Sequence, residues 1–277
     1  MAGSPSNLVV RLATALVGLP VVLSILYFAP PWAFYVVVLA ASLVGARELF
    51  SMTHPGDAVA QGAGVLLSAV ASLVVYLGAD HADALLAVLV GTPLVGLLLT
   101  LARLGAIETA ALRAFAIGSG PLLVAVPLSL LGALRRNLSV AGPGAVVLAL
   151  GLAWFADTGA YFAGRFAGRH KLYEAVSPKK TVEGAIGGLT ASIVWAVLGT
   201  VGYLRGQLPL GHAVVLGIVA GALGQAGDLG ESLLKRSTGV KDSGTIVPGH
   251  GGILDRVDAL LMTTVVVFFY SRWVGWR

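Results

Sequence analysis

Long apolar runs separated by short polar segments dominate this sequence, and their lengths decide the fold class. A helix needs about 20 apolar residues to cross the hydrocarbon core of a bilayer. That length predicts nine spans along the chain, at residues 8–29, 32–45, 59–77, 84–101, 114–134, 144–163, 185–203, 213–229 and 259–274. We therefore predict an all-α fold, a polytopic integral membrane bundle of about nine transmembrane helices.

Composition supports a membrane protein. Hydrophobic residues make up 57% of the chain and charged residues only 11%, whereas soluble domains average about 25% charged residues. The sequence contains no cysteine, which excludes disulfides, thiolate metal sites and cysteine nucleophiles. The first apolar run is longer than a signal peptide and lacks a small-x-small cleavage site, so we interpret it as a retained first span.

The distribution of basic residues predicts an orientation. With nine spans, thirteen of the eighteen Lys and Arg residues fall on the side that holds the N-terminus. Cytoplasmic loops are enriched in Lys and Arg. We therefore expect a cytoplasmic N-terminus, cytoplasmic polar loops and an external C-terminus.

Polar residues concentrate in the C-terminal half, which suggests two regions. Residues 1–140 read as about five N-terminal spans, and residues 141–277 as a catalytic transmembrane region with cytoplasmic loops at 165–184 and 231–258. The second loop is the densest polar stretch, with four of the thirteen acidic residues and four of the eighteen Lys and Arg residues. Chemistry is expected there.

Asp157 is the first candidate functional residue, because it lies inside the sixth span. A carboxylate at that depth costs about 2.5–3.5 kcal/mol on insertion scales and is usually functional. The structural alternative is an ion pair with Arg165, two turns further along the same helix. In the following loop, Lys179 and Lys180 are candidate phosphate ligands and Ser177 a hydrogen-bonding partner; alternatively, the basic loop contacts lipid head groups.

Two further carboxylate groups flank the 231–258 loop. Asp228 shares a helical face with Glu231, Ser232 and Lys235 if the eighth helix continues, and Asp255 and Asp258 are three residues apart before the last span. Such an oxygen-rich set suits Mg²⁺ or another hard cation rather than zinc. The alternative is a network of interfacial salt bridges, such as an Asp228–Lys235 pair.

Carboxylates for a divalent metal, several cations and glycine-rich loops together favour phosphoryl or nucleotidyl transfer. The sequence contains neither a Walker P-loop nor a GxGxxG fingerprint after a strand, so a P-loop kinase or Rossmann enzyme is unsupported.

The residues from Ser232 to Asp258 carry a recognisable signature. The pattern SLLKR, four residues, KD, and then PGHGGILDRVD resembles the signature of the phosphatidate cytidylyltransferase (CDP-diacylglycerol synthase) family, with matching spacing and a smaller residue, Val247, before the proline. The stretches DTGAYFAGR and SPKKTVEG resemble the family as well. The resemblance covers about the C-terminal half, and the first five spans add nothing specific.

The resemblance implies an inner-membrane enzyme that makes CDP-diacylglycerol and pyrophosphate from CTP and phosphatidate with Mg²⁺. It also implies contact with membrane lipids and a homodimer, and no nucleic-acid partner is expected. On this reading the metal ligands are Asp228, Asp255 and Asp258, and the groups that hold the triphosphate and the lipid phosphate are Lys235, Arg236, Lys241 and Arg256. The expected substrate-binding residues are Lys179, Lys180, Ser177, Ser232, His250 and Asp157.

Two other classes share some of these features. A CDP-alcohol phosphotransferase also pairs membrane helices with metal carboxylates, but it carries a DGxxAR run that this chain lacks. A secondary transporter could use Asp157 and Asp228 as a cation or proton relay. It would not need the hydrophilic 235–256 loop, and the sequence shows no inverted repeat.

Overall fold

The computed structural model describes residues 7–138, 140–244 and 251–276, and within them the chain is almost entirely helical. The helices are α1 (Asn7–Phe28), α2 (Pro31–Thr53), α3 (Ala58–Gly78), α4 (Ala82–Ala102), α5 (Ala110–Gly120), α6 (Val126–Asn137), α7 (Gly142–Ala167), α8 (Val182–Val201), α9 (Leu210–Ser237) and α10 (Leu254–Trp273). A short π-helical segment, Pro121–Ala125, joins α5 to α6 into one long apolar rod.

The predicted all-α membrane fold is confirmed. Within the described ranges, seven helical segments are long and apolar enough to cross a membrane, and α1 adds a shorter apolar stretch, Leu16–Phe28. The last helix, α10, overlaps the predicted ninth span, residues 259–274, but begins five residues earlier. Its first turns contain three charged residues. The protein is therefore a multi-pass membrane protein, and the prediction of about nine spans is approximately consistent with these helices.

Two helices extend well beyond their apolar runs. Helix α2 continues through Arg47 and Glu48 to Thr53, and α9 continues through Lys235 to Ser237. The predicted loop 231–258 is therefore shorter than expected, because its first residues belong to α9 and its last to α10. The predicted shared face of Asp228, Glu231, Ser232 and Lys235 required their helix to continue past Asp228. Helix α9, which corresponds to the eighth predicted span, does continue, to Ser237.

The predicted loop 165–184 contains regular secondary structure. It contains an antiparallel hairpin of β1 (Lys171–Tyr173) and β2 (Ser177–Thr181), with Lys171 opposite Thr181 and an irregular register between the strands. Helix α8 starts immediately after β2, where the Thr181 hydroxyl accepts a hydrogen bond from the Gly184 amide at 3.1 Å. This N-cap satisfies one of the free amides of the first turn and fixes where the hairpin ends.

The chain divides into two compact units, residues 1–132 with 242–256 and residues 133–241 with 257–277. By packing, residues 242–256 group with the N-terminal helices, whereas the sequence division at residue 140 assigned them to the catalytic region. The functional division itself stays a prediction.

The core of the first unit is built around Phe50 on α2, which is fully buried. Two glycines make room for its ring, since a Cβ on Gly64 or Gly120 would lie within 2.6 Å or 2.5 Å of it. Glycine at these positions lets α3 and the α5 end approach α2 closely, as small residues do in membrane helix packing.

The second unit is held by close packing of α7 against α8. A Cβ on Gly187 of α8 would lie 2.2 Å from the Ala163 Cβ, and one on Gly159 of α7 would lie 2.6 Å from the Gly187 carbonyl oxygen. On the other side of the unit, a Cβ on Gly227 of α9 would lie 2.9 Å from the Asp258 carbonyl oxygen of α10. These contacts bring the polar ends of α7, α9 and α10 into one unit.

Candidate active site

The candidate active site is a cavity of about 400 Å³ in the second unit. Its charged lining comes from α7 (Asp157, Arg165), β2 (Lys179, Lys180) and α9 (Asp228). Four of these five residues are sequence-predicted site residues from three separate segments. The tight α7–α8 packing places them together, because β2 leads directly into α8.

One ion pair crosses this cavity. Lys180 Nζ lies 2.6 Å from Asp228 Oδ2, and both side chains are about a quarter exposed. The sequence also allowed an ion pair between Asp228 and Lys235, and the ion pair observed for Asp228 is with Lys180. Lys235 instead pairs with Glu231 of its own helix at 2.5 Å, with both side chains largely buried.

Lys179 and Arg165 present positive charge to the same cavity. Lys179 is exposed, and the Arg165 guanidinium donates a hydrogen bond to the Tyr161 hydroxyl at 2.9 Å. Cations that line a pocket beside carboxylates can hold a polyphosphate while a divalent metal neutralises the acids. Tyr161 and Arg165 were not predicted as site residues, although they follow Asp157 by four and eight residues, which places all three on one helical face.

The hairpin that carries the lysines is fixed at its base by Glu183. Its carboxylate accepts hydrogen bonds from the Arg169 and His170 amides at 3.0 and 3.2 Å and lies 2.6 Å from His170 Nδ1. Three contacts on one carboxylate restrain the entry to β1, so Lys179 and Lys180 are carried on a strand of a fixed hairpin rather than a free loop.

Asp258 extends the acidic part of the site. It interacts electrostatically with Asp228, Asp157 and Glu231, all in the same unit. The close approach of α10 to α9 at Gly227 accounts for this proximity. Like charges this near one another repel, so the cluster favours a cation among the carboxylates.

The carboxylates suit a divalent cation in their chemistry. Across residues 7–138, 140–244 and 251–276, no group of three or more His, Asp or Glu side chains could hold a metal by itself. Mg²⁺ sites commonly use only one or two carboxylates and complete their shell with water and substrate phosphates. Asp228 and Asp258 match that donor set.

Asp255 has a different environment from the other two predicted ligands. In the first unit, its Oδ2 accepts hydrogen bonds from the Ser243 amide, the Ser243 hydroxyl and the Gly252 amide, each at 2.9 Å. These contacts tie together the two ends of the loop between α9 and α10. Its role as a metal ligand stays a prediction.

Among the described residues, the remaining predicted side chains are not part of the cavity lining. Arg236, Lys241 and Arg256 are exposed, and Ser177 and Ser232 are partly buried in β2 and α9. His250 lies outside the described residues. Their assignment to substrate binding stays a prediction.

Sequence reasoning missed Glu48. This residue of α2 is only 4% exposed and accepts hydrogen bonds from Ser243, Ile253 and Leu254. Its partners lie about 200 positions away in the chain, so no periodicity or spacing signals them. Its one sequence signal is a carboxylate at the end of an apolar run.

Comparison with known proteins shows which family this sequence resembles. A sequence profile of the cytidylyltransferase family matches residues 9–274. Phosphatidate cytidylyltransferase from Bacillus subtilis is 45% identical over 136 residues, which are 48% of this chain and 49% of that protein. The same enzyme from Synechocystis is 44% identical over 45% of this chain and 42% of its own length. The one from Haemophilus influenzae is 46% identical over 43% and 41%.

The chain spans about half the length, or less, of the curated relatives it matches. The family profile, in contrast, covers nearly every residue from the first helix to the last. On that coverage, the chain belongs to the cytidylyltransferase family.

Proposed function

We propose that this protein transfers the CMP moiety of CTP to phosphatidate, giving CDP-diacylglycerol and pyrophosphate. The observation that carries the proposal is the cavity in which Lys179, Lys180 and Arg165 face Asp157 and Asp228. Three cations beside two carboxylates suit a metal-bound triphosphate. The relatives named phosphatidate cytidylyltransferase supply the substrate class.

The proposed reaction needs no protein nucleophile. A phosphate oxygen of phosphatidate attacks the α-phosphorus of CTP and forms the new P–O bond. The bond from that phosphorus to the oxygen bridging the α- and β-phosphates breaks, and pyrophosphate leaves with the electron pair. Both reactants carry negative charge, so catalysis consists of positioning them in line and neutralising their repulsion.

The cavity residues divide these tasks. Lys179 and Arg165 would bind phosphate oxygens, and Lys180, already paired with Asp228, would lie between the acidic cluster and the nucleotide. Asp228 and Asp258 would hold Mg²⁺, with Asp157 as a further ligand or orienting group. Bound there, Mg²⁺ would supply Lewis-acid stabilisation of charge on the phosphate oxygens.

Location and assembly belong to the same proposal. The thirteen-to-five division of basic residues supports a cytoplasmic N-terminus and cytoplasmic active-site loops, with an external C-terminus, in the inner membrane. There CTP would reach the cavity from the cytoplasm and phosphatidate from the adjacent leaflet. A homodimer is the assembly that family resemblance implies.

A pyrophosphate-release assay on detergent-purified protein tests the activity. We expect release only when CTP and phosphatidate are both present, together with transfer of label from the CTP α-phosphate to the lipid. Release from CTP alone would indicate a nucleotidase. Label transfer from CDP-alcohols would indicate a phosphotransferase, and cation flux without turnover a transporter.

A further inference from the structure

We infer that Glu48 is a positioning residue for two segments, residues 242–244 and 251–254, and through them for the signature residues Asp242 and Asp255. The inference deepens the proposed function and rests on it for its catalytic consequence. Glu48 Oε2 accepts hydrogen bonds from the Ser243 hydroxyl at 3.0 Å and the Leu254 amide at 2.8 Å, and Oε1 accepts one from the Ile253 amide at 3.0 Å.

These contacts bind both ends of the loop to one side chain. Ser243 precedes the signature stretch 245–250, and Ile253 and Leu254 follow it. The Asp255 carboxylate joins the same two ends, through Ser243 and the Gly252 amide. The Ser243 hydroxyl lies 3.0 Å from Glu48 Oε2 and 2.9 Å from Asp255 Oδ2, so its one proton is shared between the two carboxylates and links them.

Glycines on both sides of the stretch make this arrangement possible. A Cβ on Gly252 would lie 2.4 Å from Glu48 Oε2 and 2.1 Å from the Ser243 hydroxyl, and one on Gly244 would lie 2.6 Å from Glu48 Oε1. Any side chain there would displace the carboxylate. The glycines of this loop thus permit a close approach of backbone to Glu48 rather than serving only as flexible turns.

Burial explains why Glu48 would hold the loop firmly. A buried carboxylate loses hydration and must recover it through hydrogen bonds. Here amide and hydroxyl donors of the loop supply them, and bonds to a charged acceptor are stronger than neutral ones. Moving Ser243, Ile253 or Leu254 away from Glu48 would leave the carboxylate without these donors, so the observed contacts are favoured.

The variant Glu48→Gln tests the hydrogen bonds of the carboxylate without changing the size of the side chain. Glutamine keeps the shape but has one acceptor oxygen, so its NH₂ group would face the donors now bound by the second oxygen. We expect the loop ends to loosen while the surrounding helices remain packed. Glu108→Gln is the matched control, because Glu108 is an exposed glutamate of the same unit.

Limited trypsin digestion reports on the loop directly. Lys241 lies in the loop and Arg256 in the first turn of α10, and both are exposed; Arg103 and Arg169 are exposed sites elsewhere. With fragments identified by mass spectrometry, Glu48→Gln should speed cleavage after Lys241 or Arg256 by about tenfold or more, but leave cleavage after Arg103 and Arg169 unchanged. The kcat for CDP-diacylglycerol formation should fall between about tenfold and a hundredfold, the scale for misplaced catalytic groups.

Two outcomes decide against the inference, and a second variant covers a failure to purify the first. Wild-type cleavage and turnover in Glu48→Gln would overturn it. Faster cleavage at all four sites with a lower Tm, and normal kcat per folded molecule, would make Glu48 a general fold anchor and overturn it too. If Glu48→Gln cannot be purified, Ser243→Ala removes the hydroxyl that links the carboxylates and should show the same selective cleavage. Because cleavage needs no activity, its result stands even if the wild type makes no CDP-diacylglycerol.

Discussion

Lys180 of the β-hairpin and Asp228 of α9 form an ion pair of 2.6 Å between residues 48 positions apart. The neighbouring Lys179 lines the same cavity but is exposed. Two adjacent lysines therefore have different surroundings. Lys180 belongs to the acidic cluster, and Lys179 is available to a ligand that enters the cavity.

This difference predicts different kinetics for the two lysines. Lys179→Ala should raise the KM for CTP several-fold with little change in kcat, as expected for a contact made equally in the ground and transition states. Lys180→Ala should lower kcat as well, because it leaves Asp228 without its counter-charge. Steady-state kinetics on purified protein measures both. Equal KM-only effects for the two variants would contradict the distinct role of Lys180.

Asp228→Asn and Asp258→Asn should lower kcat by about a hundredfold or more, the scale of losing a preorganised electrostatic stabiliser. Asparagine keeps the shape of the side chain and removes its charge, so both proteins should still insert and fold. Turnover is normalised to the monodisperse fraction from size exclusion. Near-normal kcat for well-folded Asp258→Asn would remove this carboxylate from the mechanism, whereas poor folding with normal specific turnover would assign it a structural role.

Removing metal ions with a chelator tests whether the activity requires a divalent cation. An all-oxygen donor set without cysteine should require a hard divalent cation, so EDTA should abolish activity and Mg²⁺, or Mn²⁺ in its place, should restore it. Zn²⁺ is the comparison ion and should not restore full activity. Undiminished turnover after exhaustive chelation would rule out a metal role for Asp228 and Asp258.

The sequence predicted the helices well because bilayer thickness imposes a length that apolar runs reveal directly. It also predicted that Asp157, Lys179, Lys180 and Asp228 have related roles, since charged residues in such a chain are rare and conspicuous. In the structure the four residues line one cavity, and their individual roles remain predictions.

The partners of individual charged side chains could not be predicted from the sequence. Helical spacing allowed Asp228 to pair with Lys235, but the structure pairs it with Lys180 because the α7–α8 packing brings β2 beside α9. The role of Glu48 was equally inaccessible, since its partners are about 200 residues away. Packing between segments that are distant in the sequence determines such contacts, and the local pattern of polar and apolar residues does not predict that packing.

Reporter fusions test the predicted orientation. Alkaline phosphatase, which is active only outside the cytoplasm, should be active when fused after Arg277 and inactive when inserted in the 165–184 loop. A cytoplasmic fluorescent reporter at the same two positions is the reciprocal control. The opposite pattern would show that the number of spans differs by one from the prediction.

Gly187 provides the sharpest test of the helix packing that builds the active site. A methyl group there would lie 2.2 Å from the Ala163 Cβ and 2.9 Å from the Gly159 carbonyl oxygen, so α8 would have to move away from α7. Gly187→Ala should therefore lower the Tm and reduce CTP binding, because β2 and its lysines are attached to α8.

Gly230→Ala is the matched control for Gly187→Ala. It lies in a helix of the same unit, and a Cβ there would meet nothing within 4 Å. Alanine is a better helix former than glycine by about 1 kcal/mol, so Gly230→Ala should leave the Tm unchanged or raise it. Thermal unfolding followed by fluorescence in detergent measures both variants. If Gly187→Ala is as stable as Gly230→Ala, then α7 and α8 are not packed as closely as described, and the cavity they position would have to be rebuilt.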